Sequence, residues 1–252
     1  MIAPTALAIT LEVAGVATLV FFATLHRNGR AADDLIDVPE RIQDSLASTG
    51  LPESAARALA VEGAVFYYAL LAWRSKPFTP QGARSFSYHR RNAYAATLYA
   101  VVGAALVEMA VVDLLVRSHH PTVANALFVI DALGLIWMMG FARSVQLRPI
   151  LLTADSLRVR NGLVATVDVP RADTTIEFGR VRAPAKGTPG YVRAALGQPN
   201  ALVTVSRPVT LRRAYGSARQ VRQIGLVLDD PKGFESTWRS MEVGPREPAA
   251  GS

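Results

Sequence analysis

The sequence predicts an α-helical membrane bundle of four transmembrane helices, followed by a small C-terminal antiparallel β domain that closes with a helix. Three observations carry this. Four apolar stretches, at 2–25, 55–73, 93–116 and 122–142, approach or exceed the ~20 residues a helix needs to cross ~30 Å of hydrocarbon. Beyond Arg143 the long apolar runs stop and short alternating ones begin. The charge divides at the same place: Arg143 to Ser252 carries 17 Lys and Arg against 9 Asp and Glu, a net of +8, while the residues before it sum to −1. At 252 residues and 50% hydrophobic, the chain has room for two units and is too polar to be membrane throughout. The expected organisation is a helical domain at 1–146, a β domain at 147–241 and a disordered tail at 242–252.

The first stretch, Ile2 to Leu25, has no basic n-region and no small-residue cleavage site, so it reads as a retained helix and not as a signal peptide. Pro39 to Leu46 follows, with Ile42 and Leu46 four apart and Gly50 as a stop signal, which predicts a short amphipathic helix on the membrane surface. The other three stretches are bounded by Arg57 and Arg74, by Arg91 and Arg117, and by Arg143; Trp73, Tyr94, Tyr99 and Trp137 lie towards span ends. The connection from Arg74 to Arg91 holds five basic residues and no acid, which places it in the cytoplasm. The turn Arg117 to Pro121 is then outside, and Arg143 and Arg148 are inside. Arg27 and Arg30, after the first span, fall outside in this arrangement and run against the rule.

Each span carries acid: Glu12, Glu62, Glu108 with Asp113, and Asp131. A carboxylate at bilayer depth costs roughly 2.5–3.5 kcal/mol on insertion scales and marks function by default. Small residues three, four, seven or eight positions away (Ala8 and Gly15, Ala58 and Ala69, Ala100 and Ala104, Ala124 and Gly134) put these acids on helix–helix faces. Glu12, Glu62, Glu108 and Asp131 are therefore candidates for an intramembrane proton or cation site, with Glu62 and Glu108 the expected pair because their depths match. A bound cation is the only cofactor this pattern points to. Asp113, His119 and His120 form a candidate outer-face site, since carboxylate and imidazole suit several transition metals, although no H-E-x-x-H motif is present. The competing reading is that the acids are protonated or hydrogen-bonded and fix packing. Tyr88, His89, Arg90 and Arg91 in the basic connection are candidate lipid-headgroup contacts; the plainer alternative is a positive-inside anchor. The absence of cysteine excludes disulfides, thiolate metal sites and cysteine nucleophiles.

In the C-terminal part, Leu157 and Val159, Val164 to Val169, Leu202 to Val205, Val209 to Leu211 and Val221 to Leu228 read as strands separated by turn residues. Arg182 to Gln198 reads as a long loop. Asp230 and Pro231 open a helix through Phe234 and Trp238, as N-cap and first helical residue. The run Leu151 to Leu163, then Val169-Pro170-Arg171-Ala172-Asp173, with the closing strand and helix Leu226 to Trp238, resembles bacterial pleckstrin-homology-like (PH-like) domains attached to membrane spans. That resemblance covers about 147–241. It implies a small barrel or bent sheet with a capping helix, used for assembly or lipid proximity, in a multi-pass protein of the bacterial inner membrane whose C-terminal domain is cytoplasmic. Ten arginines, from Arg158 and Arg160 to Arg219 and Arg222, are expected to favour the anionic leaflet. Few aromatics are interleaved with them, which argues against nucleic acid. The expected function is a non-enzymatic membrane scaffold or accessory subunit, with lipids and a second copy or another membrane protein as partners. Cation- or proton-coupled transport, and a membrane enzyme acting on a lipid-like substrate, are the alternatives.

Overall fold

The computed structural model describes residues 37–91 and 93–242. The chain order is α1 (Val38–Ala47), α2 (Glu53–Leu70), β1 (Arg84–Phe86), α3 (Tyr94–Arg117), α4 (Pro121–Leu147), β2 (Ile150–Leu152), β3 (Ser156–Asn161), β4 (Ala165–Pro170), β5 (Thr174–Phe178), β6 (Tyr191–Arg193), β7 (Ala201–Arg213), β8 (Arg219–Leu226) and α5 (Pro231–Glu242). The expected span at 2–25, with Glu12, and the tail after Glu242 lie outside the described residues.

Among the described residues, two helices, α3 and α4, are long and apolar enough to cross a membrane. Only 6% and 11% of their most apolar stretches are buried in the protein, where the core helices of a soluble fold are mostly buried. They pack on each other as a hairpin, tied near its turn by Arg117, which donates to Asp113 on its own helix (2.9 Å) and to Asn125 across the pair (3.2 Å).

The four-span expectation is corrected at α2. Its 18 residues include Glu53, Arg57 and Glu62, so it is less apolar than α3 and α4 and is not among the helices apolar enough to cross a membrane. Its alanine-rich face is spent on protein: Ala60, Val61, Ala64, Val65 and Tyr68 form one core with Ile42 of α1, Leu147 at the end of α4, Leu163 in the β3–β4 turn and Ala214 after β7. The buried small residues of α2 are Ala56, Ala60, Ala64 and Ala69, whereas Ala58, expected on the helix–helix face with Glu62, is only half-buried. α4 comes so close to α2 that a Cβ on Gly140 would overlap the Val65 carbonyl. Arg143, one turn beyond, donates to the Trp73 carbonyl at 2.7 Å and ties the end of α2 to α4. α1 covers the stretch expected as a membrane-surface helix, but its Ile42 is buried against α2 in the protein core; Glu40 accepts from the Asp37 N–H at 3.2 Å in a capping box.

The sheet runs β1-β2-β3-β4-β7-β8-β6, with β5 added on β7. It is mixed, not purely antiparallel, because β6 pairs parallel with β8 inside the stretch expected to be loop. β7 is long and irregular between Thr204 and Val209; its first half pairs with β5 and its end with β4, so one strand bridges two parts of the sheet. The alternation of β3 and β4 sends Leu157, Val159, Val167 and Val169 into a core closed by Phe234 and Trp238 of α5. Asp230 caps α5, accepting from the Gly233 N–H at 2.9 Å. β1 comes from the basic connection: Arg84 to Phe86 pairs with Ile150 to Leu152, and Phe86 meets Phe234 edge-on.

Candidate functional site

The same alternation gives β3, β4 and β7 a second face that is charged. Arg160 stands opposite Thr166 and Arg158 opposite Asp168 across β3 and β4; Thr166 stands opposite Arg212 across β4 and β7. This face is partly covered. α1 presents its acidic first turn to it, so Asp37 and Glu40 meet arginines of the sheet.

At its centre Asp37 (2% exposed) lies between Arg148 (3%) and Arg160 (0%). Arg148, at the end of α4, donates through Nε to the Asp37 carboxylate at 2.6 Å and through Nη1 to the Gly162 carbonyl. Burial opposes the Arg148 charge, but Asp37 more than offsets it and holds the guanidinium above its usual range. Arg160 lies 3.6 Å from Asp37, over the ring of Phe78 (5.6 Å to the centroid), and none of its three guanidinium nitrogens has a hydrogen-bond partner. Burial pushes it below the usual arginine range, against the pull of Asp37. Two buried cations thus share one buried anion.

The turn after β3 joins this centre to the helices. Gly162 has φ +48°, and a Cβ there would come within 2.9 Å of Ser144 Oγ on α4. Its N–H donates to the Tyr88 hydroxyl at 2.8 Å, and Tyr94 donates to Asn161 at 3.0 Å. A second clasp lies at Asp229. Its carboxylate accepts the backbone N–H groups of His89 (3.1 Å), Arg90 (3.0 Å) and Arg91 (2.6 Å). Burial pushes Asp229 up, but the donors from Arg91 and Arg90 win and hold it below its ordinary value.

The expected headgroup cluster is therefore split. Tyr88 is buried at 1% and faces the sheet, because its hydroxyl serves the β3–β4 turn. His89 is half-buried, while Arg90 and Arg91 are exposed. Glu62 accepts a hydrogen bond from Tyr215 of the β7–β8 turn. Glu108 is exposed on α3 and Asp131 half-buried on α4. No hydrogen bond or ion pair among the described residues joins Glu62 to Glu108. Asp113 pairs with Arg117. His119 Nδ1 lies 2.7 Å from Ser118 Oγ, and His120 is exposed. Among the described residues, no group of three or more acids and histidines is placed to hold a metal ion.

Sequence reasoning missed Asp37, Arg148, Arg160 and Asp229 as a set. The only available signal was a polar residue at each end of an element: Asp37 before α1, Arg148 after α4, Asp229 after β8. No family model matches this chain, and no curated protein or solved structure matches it.

Proposed function

We propose that the protein is a non-enzymatic scaffold or accessory subunit of the bacterial inner membrane, with α3 and α4 as a two-span hairpin and a PH-like β domain on the cytoplasmic side. The observation that carries this reading is the use made of charged groups between elements. Asp37, Arg148 and Asp229 each bridge elements far apart in sequence. They fix the β domain to the base of the hairpin, and a fixed surface held at a membrane face suits assembly. The β domain lies at the hairpin end that carries the basic connection and Arg143. The positive-inside rule supports calling that end cytoplasmic. A sheet bridged by one long irregular strand and closed by a terminal helix is in keeping with the PH-like resemblance.

A second copy or another membrane protein is the proposed partner of the hairpin. Glu108 is exposed among Val107, Leu114 and Leu115, and a carboxylate facing lipid is costly enough that a protein neighbour is favoured. Because the chain has no cysteine, single-cysteine variants at Val107, Leu114 and Phe128 can be cross-linked cleanly in native membranes. The expected result is a discrete adduct from one stripe only, with no proton or cation flux in proteoliposomes of the full chain. A monomer at every position, or a flux that Glu108→Gln abolishes, would overturn the scaffold reading; the flux result would favour transport.

A further inference from the structure

The charged face of the sheet is not fully covered. Between α1, the start of α2 and the paired ends of β4 and β7 lies a cavity of about 60 Å³, lined by Arg57, Arg148, Arg212 and Arg213 with Glu40 as the one acid. A water needs roughly 10–15 Å³ of such space, so the cavity takes four or five waters or one tetrahedral oxyanion.

Its donors are underused. Arg148 is 97% removed from solvent and lines the cavity; its Nε donates to Asp37 and its Nη1 to the Gly162 carbonyl. The buried Nε of Arg57 has no hydrogen-bond partner; its Nη2 pairs with Glu53. Arg212 pairs with Asp168, whereas Arg213 is exposed and joins no ion pair among the described residues. Thr166, cross-strand from Arg212, adds a hydroxyl to the lining. Glu40 is turned to the Asp37 N–H and to Arg158. On the neighbouring strand, next to Thr166, stands Arg160, buried and without a hydrogen-bond partner. The region therefore holds more positive charge than its acids neutralise, in a space shaped for several donors to converge.

We propose that this cavity binds a phosphate oxyanion, supplied as free phosphate or as the phosphate of an anionic phospholipid headgroup. Guanidinium groups match phosphate geometry and are weakly hydrated enough to work when half-buried. The proposal stands independently of the scaffold reading. It concerns a different surface from the exposed arginines of the basic connection.

The test uses the full chain. In detergent stripped of lipid, radiolabelled inorganic phosphate is measured by equilibrium dialysis at constant ionic strength. In a second arm, phosphate-free nanodiscs of phosphatidylcholine doped with phosphatidic acid are followed by native mass spectrometry for retained lipid. Saturable binding of one phosphate per chain assigns the free ion. Selective retention of one phosphatidic acid, without phosphate binding, assigns the headgroup. In either arm Arg213→Gln and Thr166→Val should weaken binding, the former about tenfold for the loss of one charge-assisted bond. Both leave the Asp37 cluster intact. Arg239→Gln, the same charge removed on α5, should change nothing. Absence of binding in both arms overturns the proposal, as does binding that Arg213→Gln and Arg239→Gln weaken equally.

Discussion

Asp37 is the acid on which two buried arginines converge, so the two partners of the cluster respond differently to removal. Asp37→Ala leaves Arg148 and Arg160 buried without an anion, which is expected to cost about 3–5 kcal/mol. Arg160→Met removes a buried charge that makes no hydrogen bond and is expected to be neutral or stabilising. Thermal unfolding of the full chain in one detergent separates them; an equal loss for both variants would mean that the Arg160 charge is needed. Asp229 gives a pH signature. Its folded pKa is depressed, so its contribution is complete above the ordinary carboxylate range and is lost as pH falls through the folded value. Asp229→Asn should be less stable than the parent at neutral pH, by about 1.5–3 kcal/mol for a charge-assisted bond. The gap should close as pH falls below about 4. A gap that stays constant across that range would contradict the clasp.

At the scale of elements, the packing of α2 decides what was legible. Its apolar residues were visible in the sequence, but hydropathy does not distinguish lipid from protein as the neighbour of an alanine-rich face. Here α1, α4 and two β turns supply the neighbour. The contact at Gly140 gives a direct check. Gly140→Ala should cost about 1–3 kcal/mol through overpacking against the Val65 carbonyl. Gly134→Ala, with open space around it in the same helix, should gain roughly 0.5–1 kcal/mol. Equal effects in the two variants would show that α2 does not sit against α4. The strands and α5 were legible because period-two alternation, turn residues and the Asp230-Pro231 start are local signals. β1 was not, because three residues, Arg-Ser-Phe, carry no period. Arg158 and Arg160 were placed towards the leaflet because alternation identifies two faces of a strand without saying what covers the second. α1 covers them, through a long-range contact that no local pattern encodes.

For the whole molecule, the hairpin and the sheet are interdependent. A fragment starting at Leu151 keeps most strands but loses β1, Asp37, Tyr88 and the partners of Asp229. It should unfold well below the full chain or aggregate, and a cooperative transition at the full-chain temperature would show that the helices are dispensable to it. The proposed orientation is checked by fusing, after Trp238, a reporter active only outside the cytoplasm; it should be silent, and strong activity would reverse the topology. The acids of the helices were legible as residues. Their partners were not, because Tyr215 reaches Glu62 from a turn 153 positions away.

The strand lent by the basic connection also orders events during synthesis. Chains emerge N-terminus first at roughly 5–20 residues per second, so Arg84 to Phe86 leaves the ribosome before both long apolar helices and well before its partner Ile150 to Leu152. If α3 and α4 span a membrane as proposed, it must wait on the membrane face where the later sheet will form. If the hairpin entered the bilayer so that its two base ends lay on opposite sides, β1 and β2 could not meet, and Asp229 could not reach the amides of His89 to Arg91. Completion of the sheet is thus conditional on correct insertion. A wrongly threaded chain is left with an open β edge, a row of unpaired N–H and C=O groups ready to pair with another chain.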